Sequence, residues 1–210
     1  MGSMPHPSAQ RIVLHNVSWK TYECLLADFE DSSAPRFTFD QGTLEIMSPL
    51  AEHEEANRTI ALLIEVIAEE RNVDVRNLGS TTFKREDLAR GFEPDSCFYI
   101  RNAERIEGKA EIDLTVDPPP DLVIEIDITS PSLPKLPIYA QLGIPEVWRY
   151  DGKTLSLLRL EGGNYRESDE SLALPGLTAT VLTGFLEESK SLKRTQWLRK
   201  LRAWLRDRAQ

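Results

Sequence analysis

Residues 122–128 limit the fold of this chain more than any other segment of the sequence. The segment is apolar except for Glu125 and Asp127, and its branched aliphatic residues predict a buried β-strand. Because side chains in a strand alternate between two faces, Glu125 and Asp127 share one face, while the isoleucines share the other. Two carboxylates therefore point in the same direction from an otherwise apolar strand.

Two neighbouring carboxylates in an apolar strand are unfavourable unless a cation or strong hydrogen-bond donors compensate for their charge. Desolvation of each carboxylate costs several kcal/mol, and the two negative charges also repel each other. A bound divalent metal ion would remove both costs. The alternative is an edge strand whose polar face meets water, which is common in antiparallel sheets, and the strand alone does not decide between the two.

A third acidic residue is predicted near this strand. Asp95 follows Pro94 and begins an extended run at 95–100, so adjacent strands would bring Asp95 and Glu125 together. Hard divalent ions such as Mg²⁺ bind carboxylate and carbonyl oxygens. The candidate metal ligands are therefore Asp95, Glu125 and the backbone carbonyl of Ile126, with Mg²⁺ as the expected ion and Mn²⁺ as its alternative.

A cation is available shortly after the strand. Lys135 begins a predicted short helix at 135–142, from which its ammonium group could reach the acidic face. Pro134 and Pro137 restrict the backbone on either side of it, which favours a positioned side chain. The alternative is an ordinary solvated lysine, which is the commoner situation for this residue type.

Strands and helices alternate along the rest of the chain, so the predicted class is α/β. A hairpin is predicted over 36–47, with Gly42 at a positive φ in its turn, and an amphipathic helix is predicted from 52 to about 71. The remaining predictions are strands at 73–78, 81–85, 95–100 and 145–150, a loop or short helix at 101–116, a turn at Ser130-Pro131, a hairpin at about 154–167, and one or two C-terminal helices.

Length and composition favour one domain with a core of its own. The chain has 210 residues, of which 40% are hydrophobic. No run approaches the roughly 18 consecutive apolar residues of a membrane span, and the N-terminus has no charged segment followed by an apolar run. We therefore expect a cytoplasmic protein without membrane contact, and we interpret residues 1–4 as a cloning remnant.

The scarcity of cysteine and histidine indicates that any metal ion would be bound by oxygen. Cys24 and Cys97 are far apart, unlike the cysteines of zinc or redox motifs, and we interpret both as buried apolar groups. Three histidines are too few for a histidine-rich metal site. The net charge of −9 disfavours a protein that coats nucleic acid without specificity.

Residues 190–210 form a basic segment on an acidic chain. They contain eight Lys or Arg and a single acid, Asp207, which leaves 17 basic and 33 acidic residues elsewhere. An apolar stripe there would pack on the parent domain or on a second subunit, and the basic face could contact DNA. The stripe consists of Trp197, Leu198, Leu201, Trp204 and Leu205. We therefore predict an N-terminal arm at 1–16, a main domain at 17–189 and a basic helix at 190–210, assembled as a homodimer.

Several short motifs follow one another in a characteristic order. They are Met47-Ser48-Pro49, Glu52-His53-Glu54, Pro94-Asp95, Asp121-Leu122-Val123-Ile124-Glu125, Ser130-Pro131-Ser132, Lys135-Leu136-Pro137-Ile138-Tyr139 and Gly143-Ile144-Pro145-Glu146-Val147-Trp148. From about residue 17 to residue 165, this series resembles the Uma2 family of restriction-endonuclease-like proteins with the PD-(D/E)XK nuclease fold.

The resemblance implies a mixed β-sheet core flanked by helices, with an N-terminal β-hairpin and a C-terminal helical extension. It also implies that Asp95 and Glu125 are metal ligands and that Lys135 is the catalytic lysine, displaced from the strand onto the next helix. This chain departs from the generic pattern at Asp127, where a lysine ordinarily stands two positions after the glutamate. Asp127 is then an extra metal ligand, a partner for Lys135 or a structural residue.

The first long helix offers a further acid, since related folds often add one from this position. Glu54 is the candidate, beside Glu52 and Glu55, and solvation on the helix surface is the alternative for each of them. We therefore expect a Mg²⁺-dependent endonuclease that hydrolyses phosphodiester bonds in DNA. The competing expectation is a nuclease-like fold that no longer cuts and serves as a binding or regulatory module, which Asp127 and the acidic net charge favour.

Overall fold

The computed structural model describes residues 10–30, 32, 34–128 and 133–208. Its helices are α1 (Trp19–Asp28), α2 (Ala51–Glu70), α3 (Lys135–Gln141), α4 (Ala179–Ser191) and α5 (Arg194–Arg208). Its strands are β1 (Gln10–Leu14), β2 (Arg36–Asp40), β3 (Thr43–Ser48), β4 (Arg76–Gly79), β5 (Phe83–Arg85), β6 (Arg90–Phe92), β7 (Ser96–Tyr99), β8 (Leu122–Ile126), β9 (Glu146–Tyr150), β10 (Leu155–Glu161) and β11 (Asn164–Ser168).

The strands form two sheets. The smaller has the order β1-β3-β2-β6-β5, and the larger has the order β11-β10-β9-β8-β7-β4. In the larger sheet β8 pairs in parallel with β9 and antiparallel with β7, so the sheet is mixed. This mixed α/β architecture confirms the predicted fold class.

Strand β8 lies inside the larger sheet and is covered on both faces. Ile124 belongs to the cluster that includes Ile60 and Ile64 of α2, whereas Val123 belongs to the cluster that includes Ile138 of α3. All five residues of β8 are buried for this reason. The alternative of an edge strand with a wet polar face is therefore wrong.

The local sequence patterns located most elements within a few residues. β2 and β3 form the predicted hairpin, and Gly42 has the predicted positive φ, 91°. Gln41 also has a positive φ, 47°, so both central residues of the turn are left-handed, as in a type I′ turn. The predicted helix at 52–71 is α2, and the short helix at 135–142 is α3.

Other elements depart from the prediction because tertiary contacts define them. The strand expected at 122–128 ends at Ile126, although the N–H of Asp127 still donates to the carbonyl of Tyr150 at 2.8 Å. Among the α-helices and strands given above, β1, β6 and α1 were not predicted. β1 and β6 are stabilised by pairing with β3 and β2, respectively. The predicted turn at Ser130-Pro131 lies outside the described residues.

The two cysteines differ in burial. Cys97, on β7, is buried as predicted, whereas Cys24 is exposed, so the prediction for Cys24 is wrong. Cys24 lies on α1, which buries Tyr22 against the smaller sheet and turns other residues outward. Among the described residues, no helix is both long enough and apolar enough to cross a bilayer.

The C-terminal helix α5 packs on its own chain. Trp197, Leu201 and Leu205 are buried in the cluster that contains the apolar side chains of α2 and α4. The indole N–H of Trp197 donates to the carbonyl of Phe185 at 2.8 Å. On the basic face, Arg202 contacts Glu70 of α2 at 2.6 Å. Of the two packing partners considered for the apolar stripe, the parent domain is therefore the one used.

Replacing Trp197 with Ala tests this packing. We expect the free energy of unfolding to fall by about 3–5 kcal/mol, because the substitution leaves a cavity and removes the indole hydrogen bond. Urea denaturation measures the change. Arg199→Ala, at an exposed position of the same helix, is the matched control and should stay within about 0.5 kcal/mol of the wild type. Equal stabilities of the two variants would contradict the packing of α5.

Glu146, at the start of β9, gives the stability a dependence on pH. Its side chain is 1% exposed and accepts hydrogen bonds from the indole N–H of Trp148 at 2.8 Å and from the N–H of Ala173 at 2.6 Å. Burial raises the pKa of Glu146 above its ordinary value despite these donors. Its ionisation therefore opposes folding at neutral pH.

The substitution Glu146→Gln removes this titration. The stabilising effect of the protonated carboxyl is fully present below its unfolded pKa of about 4.5 and is lost as the pH rises through the higher folded pKa. The stability of the Gln variant relative to the wild type should therefore be greatest at neutral pH and should decline as the pH falls towards 4.5. Urea denaturation across this range measures the difference, and a difference independent of pH would refute the assignment.

Candidate active site

Glu125 is held by two donors from one face of α3. Its side chain is 8% exposed, and the ammonium group of Lys135 lies 2.8 Å from its Oε2. The hydroxyl of Tyr139 donates to Oε1. Lys135 and Tyr139 are four residues apart, so one turn of α3 presents both donors to the strand. Lys135 is thus a buried ion-pair partner of Glu125, not a solvated surface lysine.

Tyr139 was missing from the predicted site. Burial, and then the negative charge of Glu125, raise its pKa well above the ordinary value. The phenol therefore remains protonated and stays a hydrogen-bond donor. Its spacing from Lys135 on a predicted helix was the available signal, but a tyrosine among apolar residues also fits the core. Lys135 and Tyr139 together compensate the buried charge of Glu125. Compensation by protein groups was one possibility that the sequence raised, and a bound divalent metal ion was the other.

Asp95 lies beside the same strand, as the sequence predicted. Ser96 of β7 pairs with Ile124 of β8, and continuing this antiparallel register by one residue places Asp95 opposite Glu125. Asp95 is 3% exposed, and its Oδ2 accepts the N–H of Ile126 at 2.7 Å. Ile126, the third candidate ligand, thus meets Asp95 through its N–H at the end of β8.

Arg36 connects Asp95 to the first long helix. Its guanidinium contacts Oδ1 of Asp95 and also lies 2.5 Å from Oε1 of Glu54 on α2. The Arg36 side chain is 8% exposed, whereas that of Glu54 is 34% exposed. Glu54 therefore reaches the site through Arg36, a residue that the sequence analysis did not select. The only signal for Arg36 was that it is a single cation in a predicted strand, next to two phenylalanines, and such a signal is weak.

Asp127, which directly follows β8, is partly exposed. Its Oδ2 lies 4.0 Å from Nε of Arg149, and its side chain is 31% exposed. Burial, and then the charge of Glu125, raise the pKa of Asp127 above its ordinary value. Lys135 contacts Glu125 instead.

The acids border two cavities. One, of about 670 Å³, is lined by Glu125, Asp127, Lys135 and Arg149 among others. A second cavity, also of about 670 Å³, is lined by Asp95 with residues that include Arg36, Glu54 and Asn57. The opposed pair of Asp95 and Glu125 lies where β7 and β8 meet. The site thus has an Arg36 side and a Lys135 side.

The donor set suits a hard divalent ion by its chemistry. Mg²⁺ binds one or two carboxylates together with water and phosphate, and Asp95 and Glu125 supply two carboxylates. A carboxylate has about four lone-pair positions, and two donors contact each of these acids, so each retains acceptor capacity. Within the described ranges, no three or more His, Cys, Asp or Glu side chains form a ready metal-binding group.

The fold is a mixed α/β architecture with two buried acids beside its larger sheet, and the sequence comparison is more specific. The model of the Uma2 family, described as "Putative restriction endonuclease", matches residues 19–186. The chain therefore belongs to the Uma2 family. No curated protein matches the chain.

A solved structure is similar to this fold. It is the crystal structure of a "putative nuclease belonging to DUF820" from Anabaena variabilis, with a TM-score of 0.51 and 16% sequence identity. The match covers 77% of this chain and 98% of the other. At this identity the likeness concerns the fold alone, and it agrees with the mixed α/β architecture described above.

A double-mutant cycle tests the buried pair of Lys135 and Glu125. We expect Lys135→Met and Glu125→Gln each to lower the free energy of unfolding by about 3–5 kcal/mol, because each leaves one charge buried without its partner. The double variant should lose less than the sum of the two by about 0.5–3 kcal/mol. Urea denaturation gives all four values. Additive losses would show that the two side chains do not interact.

Proposed function

We propose that this protein is a Mg²⁺-dependent endonuclease that hydrolyses phosphodiester bonds in DNA. The observation that carries the proposal is the buried pair of Glu125 and Lys135, which borders a cavity of about 670 Å³. Asp95, which lines the second cavity, lies opposite Glu125 when the register of β7 and β8 is continued by one residue. A carboxylate pair with a fixed lysine is a combination suited to phosphoryl chemistry. The family membership and the nuclease-like fold support the same reaction class.

Each residue has a role in this proposal. Asp95 and Glu125, with the carbonyl of Ile126, would hold the ion; when bound, it would supply activation of a water and neutralisation of phosphate charge. Lys135, fixed at 2.8 Å from Glu125, would stabilise the negative charge that develops on the attacked phosphate or orient the water. Tyr139 restrains the second oxygen of Glu125, and Glu54 acts through Arg36 as a positioning residue.

A second candidate function is that of a nuclease-like module that binds a partner without cutting. The observation that favours it is the compensation of both acids by protein groups. Arg36 and the N–H of Ile126 contact Asp95, while Lys135 and Tyr139 contact Glu125. Such a site is electrostatically stable without a metal ion. Asp127 in place of the usual lysine points in the same direction.

Single-turnover cleavage of plasmid DNA with Mg²⁺ or Mn²⁺ tests the leading proposal. We expect the wild type to cut and Glu125→Gln or Asp95→Asn to lower the rate by about 10²-fold or more, since each removes a charged ligand. Glu146→Gln is the matched control, because Glu146 is an equally buried acid of the same sheet that contacts Trp148 and Ala173 instead of the site.

Calorimetric titration with Mn²⁺ separates the two candidate functions in the same set of proteins. Binding that Glu125→Gln abolishes, together with cleavage, supports the endonuclease. If Glu125→Gln and Asp95→Asn cut as fast as the wild type, the site assignment is wrong. If the folded wild type neither binds Mn²⁺ nor cuts, the binding module becomes the better description.

A further inference from the structure

Arg149 projects into the same cavity as Glu125. The parallel pairing of β8 with β9 places Glu125 in register with Arg149, so the two side chains leave the sheet on one face. Both line the cavity of about 670 Å³, as does Lys135 of α3. Two cations from different elements therefore line the same cavity as one buried carboxylate.

Arg149 is the most available cation among those that line this cavity. Arg90 is 14% exposed and lies 2.8 Å from Asp40, and Lys135 is 7% exposed and lies 2.8 Å from Glu125. By contrast, the Arg149 side chain is 44% exposed, and its ion-pair distance to Asp127 is 4.0 Å. A long, partly exposed ion pair of this kind is weak, so the guanidinium of Arg149 can bind a second anion.

We propose that Arg149 binds a backbone phosphate of the DNA substrate and that Asp127 positions its guanidinium. The inference rests on the proposed function. It adds a contact between Arg149 and the substrate to those made by the metal ligands and Lys135. The planar guanidinium presents a fork of donors that matches two phosphate oxygens. Asp127 directly follows β8, and its Oδ2 lies 4.0 Å from Nε of Arg149.

The overall charge of the chain favours such a local contact. The chain has a net charge of −9, so its long-range field repels a polyanion. Cations close to the reacting phosphate then offset this repulsion locally. Lys135 is already paired with Glu125, which leaves Arg149 as the group that can form a new charge-assisted hydrogen bond there. Asp127 thereby has a function at the position where the generic pattern has a lysine.

Fluorescence anisotropy with a short labelled DNA duplex tests this inference, in calcium buffer and in EDTA. We expect Arg149→Ala to raise Kd about tenfold and to reduce the slope of log Kd against log salt by about one, because one phosphate contact is lost. The Kd of Arg149→Lys should lie between those of the wild type and Arg149→Ala, because lysine keeps the positive charge but lacks the paired donors of the planar guanidinium. The control is Arg159→Ala, an exposed arginine of β10 whose register partner is Glu146, and its Kd should be unchanged.

A double-mutant cycle in the same assay tests the role of Asp127. Asp127→Asn should change the salt slope in the wild-type background but not in Arg149→Ala, because Asp127 acts through Arg149. An Arg149→Ala protein with the Kd and slope of Arg159→Ala overturns the proposal, as does a wild type that binds no duplex in either buffer. If the wild type never cuts DNA but Arg149→Ala weakens duplex binding, the proposed function is refuted and the Arg149 contact stands.

Discussion

The burial of a charged carboxylate in the middle of β8 is the constraint on which the site depends. Because α2 and α3 cover both faces of the strand, the side chain of Glu125 is only 8% exposed, and protein groups compensate for most of the solvation that it loses. Lys135 and Tyr139 do so from one turn of α3. The position of α3 over the sheet is therefore fixed by electrostatics as well as by apolar packing, and the cavity beside it follows from that position.

The sequence predicted the parts of this site that depend on local patterns. Glu125 was recognisable because charged side chains are rarely buried without a partner, and this acid lies within a continuous apolar strand. Asp95 was recognisable from its place at the start of a strand, and Lys135 from its place at the start of a short helix. These signals lie within a few residues of each side chain, as do the turn at Gly42 and the periodicity of α2.

The remaining parts depend on contacts between distant segments. Arg36 meets Asp95 only because the smaller sheet packs beside the larger one, and no local pattern in β2 carries that information. The strand β6 exists because β2 and β5 pair with it on either side. In α5, the apolar stripe was visible in the sequence. Its packing on the parent domain was not, because that packing depends on the surface that α2 and α4 present.

The same cations that allow the acids to remain buried also govern what the site can bind. If a divalent ion binds Asp95 and Glu125, it competes with Arg36 and Lys135 for the same oxygens. Stability without a metal and affinity for a metal are then opposed properties, as is common where a functional site contains buried charge. Arg149 lies outside this competition because its own partner, Asp127, is partly exposed. Substrate binding through Arg149 can therefore proceed without the loss of an ion pair that the fold requires.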